Sequence, residues 1–273
     1  MKPMIIEASG RRVRWRFKLR EAWQYRHLLW MLALRDIKVL YAQTWIGLAW
    51  ALLKPTLTVL LLSFVFGVVL DTPSAGVPHL LFTLCGLAGW TFFSTAISES
   101  GNSIVGAQAL VKKIYFPRLI IPAAKLLPAL LDLGIVLLGV VIGMAVYRVP
   151  AGPTLLALPF FLLFLWIAGF TFGLWLSALT IRYRDFRFIT NFILRLGLYA
   201  TPVAYSAEVV PAPYFRAYLL LPTTVLTEGL RWSILGVGQW HNEYLYSFFG
   251  TLVLLIFGLR YFFRVEKELA DII

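Results

Sequence analysis

Long continuous apolar runs, not alternation, set the pattern of this chain. A helix needs about 20 mostly apolar residues to cross roughly 30 Å of hydrocarbon. Six stretches approach or exceed that length: Ile46–Leu70, Pro78–Ser98, Leu119–Val146, Leu155–Ile181, Phe188–Tyr205 and Leu245–Phe263. Backbone N–H and C=O groups find no water in lipid, so each run reads as a helix. A barrel would show alternating segments of about ten residues, and these runs are longer and unbroken. The fold class expected is an all-α integral membrane protein with six transmembrane helices.

Two further segments are apolar without being plain spans. Residues 217–237 are interrupted by Pro222, Glu228 and Arg231 and preceded by Pro211 and Pro213, which predicts a re-entrant or interfacial helical hairpin between spans five and six. Glu21–Thr44 reads as an amphipathic interfacial helix: Trp23, Leu28, Leu29, Met31, Leu34 and Leu40 enter the headgroup boundary, while Arg26, Arg35, Asp36 and Lys38 stay wet. The apolar run Leu28–Leu34 is short and no small-residue cleavage site follows it, so it is not read as a cleavable signal. The expected organisation is residues 1–45 as a cytoplasmic N-terminus, 46–263 as the membrane domain and 264–273 as a cytoplasmic tail.

Composition agrees. Of 273 residues, 60% are hydrophobic and 14% charged, and the mean hydropathy is +0.80. A soluble domain is nearer half apolar and a quarter charged. The net charge of +12 would suggest nucleic acid in a soluble protein, but its placement argues otherwise. Lys2, Arg11, Arg12, Arg14, Arg16, Lys18, Arg20, Arg26, Arg35 and Lys38 precede span one; Lys112, Lys113 and Arg118 follow span two; Arg182, Arg184 and Arg187 follow span four; Arg264 and Lys267 follow span six. The intervening loops hold few. By the positive-inside rule both termini and the even-numbered loops are cytoplasmic, and the basic ends meet anionic headgroups rather than nucleic acid.

Enzyme chemistry is not visible. The chain has no phosphate-loop motif; His27, His79 and His241 are scattered; and Cys85 is the single cysteine. No metal site or resident cofactor is expected. The acids Asp71, Glu208, Glu228 and Glu243 fall on the outer side and read as solvated loop residues. Ionisable residues within spans are functional candidates by default: Lys54, Lys125, Asp132 and Arg195. Lys125 reads as snorkelling to the cytoplasm. Asp132 calls for a partner beyond its own helix, with Arg195 as the candidate, and Lys54 or Arg195 is placed to meet a substrate phosphate. Pro55, Pro122, Pro128 and Pro202 mark kinks, the last breaking span five. Gly139–Gly143 and Gly169–Gly173 are small-xxx-small pairs that predict close helix approach. Phe64, Trp90, Phe92, Phe93, Tyr199 and Tyr205 are candidates to line a path for sugar rings. The loop Glu99–Pro117 is long enough for a short helix across the cytoplasmic face, where a motorless membrane protein docks a partner.

The chain resembles the ABC-2 type permeases that export bacterial cell-surface polysaccharides, above all O-antigen transport permeases. Four stretches carry the likeness: Arg35-Asp36-Ile37-Lys38 through Tyr41, Thr44, Gly47, Trp50 and Pro55; Gly89-Trp90-x-Phe92-Phe93 through Ser103, Leu110, Lys113, Phe116-Pro117-Arg118 and Pro122; Arg182-Tyr183-Arg184-Asp185; and Phe263-x-x-Glu266 with Ala270-Asp271-Ile272. The resemblance implies two copies of the chain with two separate ATPase subunits that bind ATP and magnesium. It implies that 101–117 is a coupling helix seated on the ATPase through Ser103, Ile104, Val105, Gln108, Leu110 and Lys113. The amphipathic helix bearing Arg26, Arg35 and Lys38 would be a cytoplasmic gate. The cargo would be an undecaprenyl-diphosphate-linked glycan; teichoic acid and capsule exporters are close relatives. A self-contained secondary transporter should show inverted repeats, and none is convincing. A membrane glycosyltransferase should show clustered acids, which are missing.

Overall fold

The computed structural model describes residues 15–42, 47–183 and 185–272; Lys2, Arg11, Arg12, Arg14, Thr44, Arg184 and the expected domain boundary at 45–46 lie outside the described residues. Every regular element among the described residues is helical. The amphipathic segment is two helices, α1 (Trp15–Gln24) and α2 (Arg26–Ala42), not one. They meet at Tyr25, whose N–H donates to Glu21 and Ala22 carbonyls and whose own carbonyl accepts from Leu28 and Leu29. Helix α3 (Gly47–Leu62) keeps Pro55 within it and widens into π-helical turns over Ser63–Val69. Then follow α4 (His79–Gly106), α5 (Gln108–Lys113), α6 (Ile120–Ala124), α7 (Leu126–Tyr147), α8 (Leu158–Arg182), α9 (Phe186–Ala200), α10 (Ala212–Leu219), α11 (Pro222–Leu235) and α12 (Glu243–Ile272).

Among the described residues, five stretches are helical, long and apolar enough to cross a membrane: Leu52–Val69, His79–Gly106, Ile120–Tyr147, Pro153–Arg182 and Glu243–Glu266. The run expected over Phe188–Tyr205 forms instead the 15-residue α9, about 22 Å long at 1.5 Å per residue. Its end has a local cause. A residue before proline is pushed out of the helical region, and Thr201, before Pro202, is extended at φ −89°, ψ 142°.

Helix directions follow from side-chain register. The long α4 is the buried centre of the bundle. Helix α7 runs antiparallel to it, with Gly139 near Leu84 and Gly143 near Leu81. Helix α8 runs parallel to α4: Gly169 lies against Phe92 and Ala96, Gly173 against Ala96 and Ser100. A Cβ on Gly173 would sit 2.7 Å from Ser100 Cβ and 3.1 Å from the Ala96 carbonyl oxygen, so only glycine permits this approach. Helix α12 runs parallel to α8. Phe248 packs edge-on to Phe164 at 5.3 Å, while Trp175 Nε1 donates to the Leu254 carbonyl at 2.9 Å and stacks on Tyr261 at 5.4 Å.

Because α8 and α12 are parallel, the chain between them must return along the bundle. Helix α9 makes that return, antiparallel to α4: Gly197 faces the Trp90 ring, and Val203 reaches the first turns of α4 beside Gly86. The next two helices, α10 and α11, occupy that far end. Most of α11 is buried, among α4, α8 and the 3₁₀ turn Pro153–Ala157. At the opposite end α1 meets the C-terminal part of α12 through Lys18 and Glu266.

Candidate functional site

Helices α1, α2 and α5 and the ends of α8 and α12 meet at one end of the bundle, where Lys18, Lys113, Arg118 and Arg182 gather; Arg148 and Arg216 lie at the other end. Helix α4 continues two turns past its expected end, to Gly106, and 101–117 is therefore not one helix. Ala107 (φ −101°, ψ 14°) breaks it, its N–H donating to Ser103 and Ile104 carbonyls, and the short α5 follows. This geometry sorts the six expected coupling residues. Ser103 and Ile104 are buried, Ser103 Oγ donating to the Ser100 carbonyl at 2.6 Å. Val105, Gln108 and Leu110 are half-buried, and Lys113 is exposed. The outward surface also holds Ala109, Lys112, Ile114 and Tyr115; the aromatic and aliphatic pair Ile114–Tyr115 was not singled out from sequence. Phe116 is buried and anchors the chain after it.

Charged pairs brace this corner. Asp36 of α2 accepts from Arg35 Nη2 at 2.8 Å, and its other oxygen pairs with Lys125 Nζ at 3.1 Å. Lys125 also reaches Glu99 of α4 at 3.3 Å. It stands at the break between α6 and α7. Its ammonium is thus held by two carboxylates, where the sequence suggested simple snorkelling. A second centre forms on Glu266: its carboxylate pairs with Lys18 of α1 and accepts the Arg118 backbone N–H at 3.3 Å, while its carbonyl accepts Arg118 Nη1 at 2.5 Å. Lys18 also lies 5.0 Å over the Phe263 ring. Tyr115 Oη donates to Glu21 of α1 at 3.3 Å. Desolvation, then the Glu21 carboxylate, raises the Tyr115 phenol above its ordinary pKa, keeping it a donor. A cavity of about 360 Å³ opens among these groups, lined by Arg35, Asp36, Glu99, Gly106, Lys125 and Arg187.

The far end is built on a buried ion pair. Arg231 Nη1 lies 3.1 Å from Glu228 Oε1, and Glu228 also accepts the Ala207 N–H at 2.9 Å. Glu228 is therefore enclosed and paired, not a solvated loop acid.

The remaining candidates divide by exposure. Arg26, Arg35, Lys38, Lys54 and Arg195 are exposed, and Asp132 is half-buried. Trp90, Phe92 and Phe93 are buried between helices: Phe92 on Gly169, Phe93 edge-on to Phe172 at 5.6 Å, Trp90 on Gly197. Phe64 and Tyr199 are exposed, and Tyr205 donates to the Tyr199 carbonyl at 3.0 Å. On α9, Arg187, Asn191, Arg195 and Tyr199 recur every four residues and all are exposed, forming one polar stripe along an otherwise apolar helix. Asn191 escaped the sequence reading, although its spacing was visible there.

A bundle of long apolar helices with a short helix presented at one end is the architecture of an integral membrane protein. The family model for ABC-2 type transporters matches residues 27–235, and the chain belongs to that family. Among curated relatives, it is 31% identical to the O-antigen export system permease protein RfbA of Myxococcus xanthus, over 74% of this chain and 77% of that protein. Two Klebsiella pneumoniae proteins of the same name are each 24% identical over 90% of this chain and 95% of their own length. The chain is accordingly a transport subunit and not itself an enzyme.

Proposed function

We propose that this chain is the permease of an ABC exporter that moves O-antigen, as an undecaprenyl-diphosphate-linked glycan, across the bacterial inner membrane. The observation that carries the reading is the likeness to O-antigen export permeases over nine-tenths of the chain. The permease works as a homodimer on two ATPase subunits, which supply ATP and magnesium. Six crossings are proposed: the five long helices plus the returning stretch 186–203, a reading that the parallel α8 and α12 support. With six, both termini share the basic, cytoplasmic side. Helices α10 and α11 then form a re-entrant hairpin at the outer end. Its second arm, α11, is enclosed by α4, α8 and the 3₁₀ turn, which supports its sitting at membrane depth, while α10 is largely exposed.

In this reading α5 with Lys113, Ile114 and Tyr115 meets the ATPase, and α1–α2 gates the cytoplasmic mouth. The polar stripe on α9 is costly in lipid, so it faces the path between protomers, where Arg195, with Lys54 on α3, meets cargo phosphates. Phe64 and Tyr199, which project from the protomer, are the aromatics best placed to slide along sugar rings. A capsule or teichoic acid exporter uses the same parts with a different glycan. The test is copurification from native membranes. A phosphate-loop ATPase should be retained by the tagged chain and lost on Ile114→Glu with Lys113→Glu. Retention of the ATPase by that variant would overturn the docking assignment.

A further inference from the structure

Among the described residues, three polar links join α1–α2 to the segments flanking α5, two of them through a bridging side chain, while Leu110 of α5 itself packs in one apolar cluster with Leu28 and Leu29. Before α5, Glu99 lies on the last two turns of α4 and is tied to Asp36 of α2 by Lys125. After α5, Arg118 is tied to Lys18 of α1 by Glu266. Immediately after α5, Tyr115 bonds Glu21 of α1 directly. The two bridging residues come from neither partner: Lys125 belongs to the α6–α7 corner, Glu266 to α12. Apolar contact adds adhesion but little direction; Leu32 and Ala33 of α2 pack on Ile120 and Ala124. Charged hydrogen bonds fix orientation and are the stronger kind.

We propose that Lys125 and Glu266 are positioning residues that make the α1–α2 pair and the α5 corner move as one body. A displacement imposed on α5 is thereby delivered to α2 at one end and α1 at the other. The inference rests on the reading of α5 as the ATPase-docking helix and α1–α2 as the gate. It adds the physical link between them.

The test uses the full permease–ATPase complex with Lys125→Met, Glu266→Gln, Asp36→Asn and Lys125→Arg. For the first three, the ATPase should still copurify and hydrolyse nucleotide at near the wild-type rate. Export should fall by at least about five-fold, the low end of common coupling effects. Lys125→Arg, which keeps the charge, should restore most export. In parallel, Val39→Cys on α2 and Ala109→Cys on α5, both exposed, carry spin labels; because Ala109 lies on the docking surface, the labelled complex is first shown to retain the ATPase and its hydrolysis, and the native Cys85 is buried and stays unlabelled. Their separation should be constant between nucleotide states in the otherwise wild-type complex and should vary when Lys125→Met and Glu266→Gln are added. A separation that already changes with nucleotide, or export that falls only in step with hydrolysis, overturns the inference while leaving the docking role intact. Failure of the wild-type chain to retain an ATPase overturns the docking role, and this inference with it.

Discussion

Arg231 of α11 sits with its guanidinium 3.7 Å from the centre of the Phe82 ring on α4. The same group donates to the carbonyls of Phe82 at 3.2 Å, Tyr205 at 3.1 Å and Val203, and pairs with Glu228. The carbonyls of Val203 and Tyr205 lie in the loop after α9 stops, so one side chain satisfies two acceptors of a non-helical segment, while the last carbonyls of α9, Tyr199 and Ala200, accept from the Tyr205 and Tyr218 hydroxyls. Gly86 makes the room: a Cβ there would lie 2.6 Å from the Val203 oxygen.

Arg231→Met should therefore destabilise the protein strongly. Breaking a buried pair by removing one partner costs about 3–5 kcal/mol, because the other charge is stranded. Thermal unfolding in detergent checks this. Adding Glu228→Gln should recover part of the loss, since no charge then remains buried alone. An Arg231→Met protein as stable as wild type would show that this end of the bundle does not depend on this clamp.

The glycine pairs should differ in sign. Gly173→Ala gains helix propensity of up to about 1 kcal/mol but forces Ser100 and the Ala96 carbonyl apart, and overpacking costs about 1–3 kcal/mol; a net loss is expected. At Gly139 the added Cβ would meet only Leu84 Cδ2 at 3.6 Å, so Gly139→Ala should be neutral or stabilising. Melting temperatures of the two variants decide it. Equal effects would contradict the close α4–α8 approach.

Arg195→Ala should reduce export while leaving the melting temperature within a degree or two, because the side chain is exposed in the protomer and surface changes usually stay within about ±0.5 kcal/mol. Asn191→Leu on the same stripe should act in the same direction. Surface glycan measured in a complemented deletion strain is the readout. Normal export by both variants would place the stripe outside the cargo path.

Much of this fold is legible in the sequence because burial in lipid demands length: α4, α7, α8 and α12 and the α3 region all fall where long apolar runs stand. The misses have local causes. The extension of α4 to Gly106 is carried by small and polar residues such as Ser100, Gly101 and Ser103, which give no apolar signal but pack inside on Leu176 and Pro122. The break at Tyr25 and the π-helical turns after Leu62 leave no composition mark. At the candidate site, α5 and the α1–α2 pair were readable as segments. The roles of Lys125, Glu99 and Glu266 were not, because their partners are distant in sequence: Lys18 and Glu266 are joined across 248 positions. Glu228 and Arg231 were visible as interruptions in an apolar stretch, yet only the fold shows that they complete each other.

The central claim is that this chain carries lipid-linked glycan outward and draws its energy from a separate ATPase. Deleting its gene and fractionating the glycan by membrane side tests that most directly. Surface glycan should disappear while lipid-linked polymer accumulates at the cytoplasmic face, with export restored only when both the permease and an active ATPase are supplied. Undiminished surface glycan in the deletion strain, or full export with a hydrolysis-dead ATPase, would contradict it.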